Sequence, residues 1–172
     1  MEHADALSLI RAGVAPGAGG VWADLGAGSG VFTRALADLL GAEGHVYAVD
    51  RQRSHYPSAQ GATITPVRAD FTRTLDLPDL DGILTANALH FVRRHERVLE
   101  QLVGYLKPGG ALLLVEYDIT RGSPWIPFPV PLAHFERLAP RVGLGAVKEV
   151  GRRRSRYGPR DIYAAVARKE VR

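Results

Sequence analysis

The stretch VWADLGAGSGVF, residues 21–32, constrains this chain more than any other. Val21 to Leu25 is apolar except for Asp24, and from Val31 the pattern becomes that of an amphipathic helix, so three glycines occupy a strand-to-helix turn. Glycine permits left-handed backbone angles and close approach of a ligand, while the free N–H groups opening the helix offer donors and a positive dipole end. The other apolar runs extend the pattern. HVYAVD, TITPVRAD, DGILTANA and GALLLVEYD read as strands, with helices over 32–40 and 93–106, the second stopped by KPGG. Two last strands, near 146–150 and 161–167, have no helix between them. The predicted fold is α/β: one doubly wound Rossmann-like sheet of seven strands, mostly parallel with an antiparallel edge strand.

The 172 residues carry no repeat and no linker, so 1–172 reads as a single domain with one core. Its first twenty residues form an N-terminal helix or lid segment ending in GVAPGAGG. No apolar run reaches the length of a membrane span, and Glu2, His3 and Asp5 do not resemble a secretory leader, which predicts a cytoplasmic protein with no membrane partner. The sequence leaves the oligomeric state open.

The glycine spacing narrows the ligand. Gly26, Gly28 and Gly30 run G-x-G-x-G, and Val31 stands where a dinucleotide fingerprint has its last glycine. Asp24 would repel a pyrophosphate but suits an ammonium or sulfonium charge. Asp50, twenty residues after Gly30, closes a strand where a carboxylate can accept from ribose hydroxyls. In a doubly wound sheet, Asp24, Asp50, Asp70, Asn87 and Glu116-Tyr117-Asp118 all fall at strand carboxyl ends and so share one crevice.

The D-x-G-x-G-x-G pattern resembles motif I of the class I S-adenosylmethionine-dependent methyltransferases, and the resemblance extends over roughly residues 20 to 167. It implies S-adenosylmethionine as cofactor and S-adenosylhomocysteine as product. Gly26, Ala27, Gly28 and Gly30 would cradle the cofactor, Asp50 with Arg51 would flank its ribose, and Asp70 and Phe71 its adenine. Asn87 would lie against the methionine moiety. No metal site is expected.

The acceptor is less defined. With no cysteine, attack on cytosine or uracil carbon 5 by a thiolate and thiolate-assisted arsenic methylation are improbable. Asn87-Ala88-Leu89-His90 lacks the prolines of the N/D-P-P-Y/F tetrad found in methyltransferases acting on exocyclic amines of DNA bases. His90 reads either as a general base and acceptor-pocket residue or as a packed histidine satisfied by backbone. Glu116 and Asp118 are further candidate bases, and Tyr117 or Trp125 could face the sulfonium. Residues 117–134 form a candidate acceptor loop, in which Trp125 and Phe128, held between prolines, make either a stiff aromatic wall or a cap on the core. His95, among Arg93, Arg94, Glu96 and Arg97, reads as a solvated helix face, and His3, His45 and His55 have no usable context.

The expected function is methyl transfer to a nitrogen or oxygen of a small-molecule acceptor. Two alternatives stand beside it: a methyltransferase of RNA or protein docked through the arginines of 152–160, and an NAD(P)-binding oxidoreductase or nucleotide-sensing domain. The arginine tract GRRRSRYGPR supplies much of the net charge of +4 and reads first as a solvated edge between the closing strands, with nucleic acid possible but not favoured.

Overall fold

The computed structural model describes residues 1–52, 55–57, 61–156, 158 and 160–171. Tyr157 and Pro159 of the arginine tract lie outside the described residues. Among the described residues, seven strands form one sheet: β1 (Gly20–Leu25), β2 (Gly44–Asp50), β3 (Thr63–Arg68), β4 (Leu80–Ala86), β5 (Leu106–Tyr117), β6 (Lys148–Arg154) and β7 (Asp161–Arg168). Their order is β3-β2-β1-β4-β5-β7-β6, with β1 to β5 parallel and β7 antiparallel to both β5 and β6. The antiparallel part thus sits at the sheet's edge, with the reversed strand one position in. The strand order reverses between β1 and β4, which makes their carboxyl ends the place for a ligand.

Strand parity sorts the core. Trp22, Val46, Leu84, Leu113 and Ile162 point to one face, against α1 (His3–Ile10) and α2 (Val31–Leu40). Ala23, Ile83, Leu112, Leu114 and Tyr163 point to the other, against α3 (His95–Tyr105) and α4 (Leu132–Leu138). In α2, Phe32, Ala35, Leu36 and Leu40 recur at helical spacing and are buried, so its apolar stripe lies flat on the sheet. Truncating fully buried Leu36 to alanine would cost about 2–5 kcal/mol. No helix among the described residues is long and apolar enough to cross a membrane.

Several boundaries differ from the sequence reading. KPGG does not merely stop α3; β5 begins at Leu106 and carries these residues, with Gly109 left-handed at φ 77° and a register irregularity opposite Leu80 and Gly82. β3 ends at Arg68 and β4 at Ala86, which leaves Asp70 and Asn87 beyond the pleat. β6 runs to Arg154, so three of the tract's arginines belong to a ladder rather than a loop. His95 is not a solvated residue: it is only 9% exposed, because the start of α3 packs against α4 and brings His134 Nε2 within 3.2 Å of its Nδ1.

Candidate active site

The glycine turn is anchored to β2. The Gly26 and Ala27 N–H groups both donate to the Val49 carbonyl, and Gly28 N–H donates to Asp50 Oδ2 at 2.9 Å. Asp50 Oδ1 accepts from Gln52 N–H, so this carboxylate closes the turn while lone pairs remain on both oxygens. Gly26 has φ 80°, and a Cβ there would lie 2.5 Å from Ala88 Cβ, so the turn after β1 and the segment after β4 approach as backbone to backbone. Gly28 also has a left-handed φ of 52°, yet a Cβ on it would meet nothing nearer than 3.9 Å. The space above Gly28 is therefore open, a cradle that a side chain would fill.

Asp24 lies beneath this turn rather than on it. Its side chain is 1% exposed, Oδ2 accepts from the Thr33 hydroxyl at 2.6 Å, and Oδ1 has no partner among the described residues. Burial pushes its carboxyl up to about 7, with Thr33 opposing and Asp50 adding to the rise. Asp70 is held below the usual carboxylate range, first by the hydroxyl and N–H of Thr72 and also by nearby Arg51. Phe71 borders Gly26, its ring 3.5 Å from where a Cβ would stand. Arg51 is exposed, its carbonyl taking a bond from Arg68. Tyr56, which carries no motif signal, packs on Ala27 and Ala48 and donates to the Gly28 carbonyl at 3.1 Å.

Beyond β4, Asn87 is the one non-glycine residue with a left-handed backbone among those described, at φ 52°. Its N–H is used by the Val115 carbonyl, but Oδ1 is buried without a partner among the described residues. A short 3-10 turn, Leu89–Phe91, then sets His90 over the end of β5. Parity in β5 puts Glu116 on the same face as Leu112 and Leu114, under that turn, and Tyr117 on the opposite face. Glu116 is completely buried; Oε2 lies 2.7 Å from His90 Nδ1 and Oε1 accepts from the His90 N–H at 3.1 Å. His90 is packed, only 3% exposed, and a carboxylate rather than backbone meets its ring. A carboxylate on Nδ1 makes that nitrogen the proton-bearing one and leaves Nε2 with its lone pair. Sequence reasoning named both residues without pairing them.

His90 lines a cavity of about 520 Å³ together with Asn87, Tyr117, Trp125, Ile126 and Arg160. Trp125 stands at the tip of a tight turn closed by reciprocal bonds between Ser123 and Ile126, and is 82% exposed. The loop is tied back where Phe128 N–H donates to the His90 carbonyl. Asp118 is occupied elsewhere: Oδ1 accepts from Leu132 N–H at the start of α4 and Oδ2 from Arg152 at 2.8 Å. A smaller cavity of about 110 Å³, also bordered by Asn87 and Tyr117, lies between Met1, Asp5 and residues 153–156. There Arg153 and Arg156 pair with Asp5, and Arg156 with Glu2, so the arginine edge holds the N-terminal helix rather than only facing water.

A family model described as a methyltransferase domain matches residues 23–114. The ubiquinone/menaquinone biosynthesis C-methyltransferase UbiE of Bordetella avium (strain 197N) is 30% identical over 120 residues, 66% of this chain and 46% of that protein. The chain thus spans about half the length of this curated relative. Among solved structures, Burkholderia thailandensis 1,6-didemethyltoxoflavin-N1-methyltransferase, with bound 1,6-didemethyltoxoflavin and S-adenosylhomocysteine, is 16% identical at a TM-score of 0.70, covering 98% of this chain and 78% of that one. Human N-acetylserotonin methyltransferase in complex with S-adenosylmethionine is 19% identical at a TM-score of 0.65, covering 88% and 48%. At these identities the structural likeness carries the fold alone.

Proposed function

The chain belongs to the class I S-adenosylmethionine-dependent methyltransferases, and on that premise we propose that it methylates a hydroxyl oxygen of a small-molecule acceptor, with His90 as the base. The residues fit the cofactor: an open cradle over Gly28, carboxylates at the ends of β2 and past β3, and, past β4, the buried Asn87 Oδ1 with no partner among the described residues. Asp50 is assigned to the ribose hydroxyls, Asp70 and Phe71 to the adenine, and the turn with Asn87 to the methionine portion. When bound, S-adenosylmethionine supplies a methyl group made electrophilic by its sulfonium. The chain's part is to align the acceptor, exclude water and receive a proton.

One observation carries the choice of a hydroxyl: the buried His90–Glu116 pair at 2.7 Å beside the cavity. An amine that is deprotonated in solution needs no base, whereas a hydroxyl does. Its proton passes to His90 Nε2, and the imidazolium that results is stabilised by Glu116 through Nδ1, as in other carboxylate-oriented histidine bases. Tyr117 and Trp125 supply aromatic walls. The engagement of Arg152, Arg153 and Arg156 by carboxylates of this same chain disfavours RNA docking through that edge.

A carbon acid would use the same base, and the similarity to a protein named as a C-methyltransferase makes that the second reading. Methyl-labelled S-adenosylmethionine, offered with a panel of phenols, enols and amines, tests both by product NMR. Label on oxygen, lost in His90→Ala, is the expected result. Label on carbon selects the second reading, and transfer to amines unaffected by His90→Ala contradicts a base role.

A further inference from the structure

We propose that the acceptor is an anion, a hydroxylated aromatic carboxylate, and that Arg160 is the residue that binds its carboxylate. This inference rests on the methyl-transfer reading for the hydroxyl, but not for the anion. The arginines of β6 and of the segment that joins it to β7 sort into two groups. Arg152 pairs with Glu149, Asp118 and Asp161, Arg153 with Asp5, and Arg156 with Glu2 and Asp5. Arg154 and Arg160 have no carboxylate partner among the described residues. Of these two, Arg160 borders the cavity that holds His90, while Arg154 is exposed beside the smaller one.

The backbone of Arg160 is held in place. The hairpin turn closes with Ser155 N–H donating to the Arg160 carbonyl at 2.7 Å, and Arg160 N–H donating to that of Gly158 at 2.8 Å. Arg160 as a residue is half-buried, and a guanidinium presents a planar fork that matches a carboxylate by two parallel hydrogen bonds. Glu116 is completely buried against His90 and makes no ion pair with Arg160 among the described residues. The cavity therefore brings together a guanidinium with no carboxylate partner among the described residues, the carboxylate-oriented His90 and the aromatic side chains of Tyr117 and Trp125. At about 520 Å³ it has the size of a pocket for a one- or two-ring molecule. An aromatic acid with a hydroxyl on its ring meets all three requirements at once: carboxylate to Arg160, ring between the aromatic walls, hydroxyl to His90.

The test uses the intact protein saturated with S-adenosylhomocysteine and matched probes, benzoate, 2-naphthoate and their hydroxylated forms, each beside its carboxamide. Calorimetry measures binding and, separately, methyl transfer gives KM and kcat. At least one carboxylate should bind tenfold or more tightly than its amide. Arg160→Gln should erase that preference, raising KM for the acid at least tenfold with kcat within threefold, and Arg160→Lys should restore part of it. Lys148→Gln, the same charge change at the far end of β6, should leave the preference intact. Equal binding of acids and amides by the wild type, or equal weakening of both by Arg160→Gln in a protein that unfolds at the normal temperature, overturns the proposal. Carboxylate binding that depends on Arg160 without any oxygen methylation upholds the anion site and refutes the hydroxyl reading alone.

Discussion

Two buried carboxylates mark the two halves of this molecule. Asp24, under the glycine turn, receives one hydroxyl from a residue nine positions later, keeps one oxygen without a partner among the described residues, and is pushed up to about 7. Glu116, at the end of β5, has both oxygens engaged by a histidine 26 positions earlier. The first makes a pairing that is local, within one strand, turn and helix. The second belongs to a site that exists only after β4 and β5 are paired. A carboxylate with a spare oxygen suits a position that adapts to a bound ligand, whereas a doubly engaged one suits a position that orients another side chain.

Removing the oriented base should have the largest effect. His90→Ala is expected to lower acceptor turnover by about 10²–10⁴-fold, the usual worth of general-base catalysis, while S-adenosylhomocysteine affinity by calorimetry stays within about threefold. A loss of cofactor affinity of similar size would erase the division between the halves.

Asp24 gives the next effect, in stability. Its folded-state pKa of about 7 lies above the ordinary value of 3.8, so between these pH values the folded protein binds the extra proton and stability falls as pH rises. Below that window the penalty is absent, and above it the penalty is constant. Asp24→Asn, which cannot ionise, should therefore gain on wild type by about 2–3 kcal/mol between pH 5 and pH 8, read from urea unfolding at both. A pH-independent difference would mean that Asp24 is not the source of the slope.

Asp50→Ala should weaken S-adenosylmethionine binding by roughly ten- to a hundredfold, about 1.5–3 kcal/mol, since it removes the acceptors proposed for the ribose and also releases Gly28 and Gln52 N–H groups. Acceptor KM should change little. Trp125→Ala gives the smallest effect, about tenfold in acceptor turnover or roughly 1.4 kcal/mol, with cofactor affinity within threefold. Because Trp125 is 82% exposed, its loss should leave thermal unfolding unchanged, so an unaltered turnover would show the loop to be surface only.

The glycine turn and the strand end at Asp50 were legible in the sequence because each is marked by a short continuous stretch: D-L-G-A-G-S-G announces the turn, and Asp50 closes an apolar run. The acceptor half was legible only as a set of candidates. Nothing local pairs His90 with Glu116; that depends on β5 parity and on the register Ala86↔Val115 beside β4. What separates Arg160 from Arg152 is only partly local, since Glu149 stands three residues from Arg152 but Asp118, just past β5, and Asp161, on β7, reach it only in the folded sheet. His95 was misread for the same reason, as its packing partner His134 comes from another helix. Tyr56 carried no signal because its role is to cover a turn already made.

The central claim is that His90 removes a proton from the acceptor, and a series of ring-substituted acceptors tests it most directly, with hydroxyl pKa values running from well below to well above the assay pH. His90→Gln should slow transfer to the un-ionised hydroxyls by about a hundredfold or more, yet leave transfer to the already ionised ones within a few-fold of wild type. An equal loss across the whole series would contradict the account and reduce His90 to a residue that shapes the pocket.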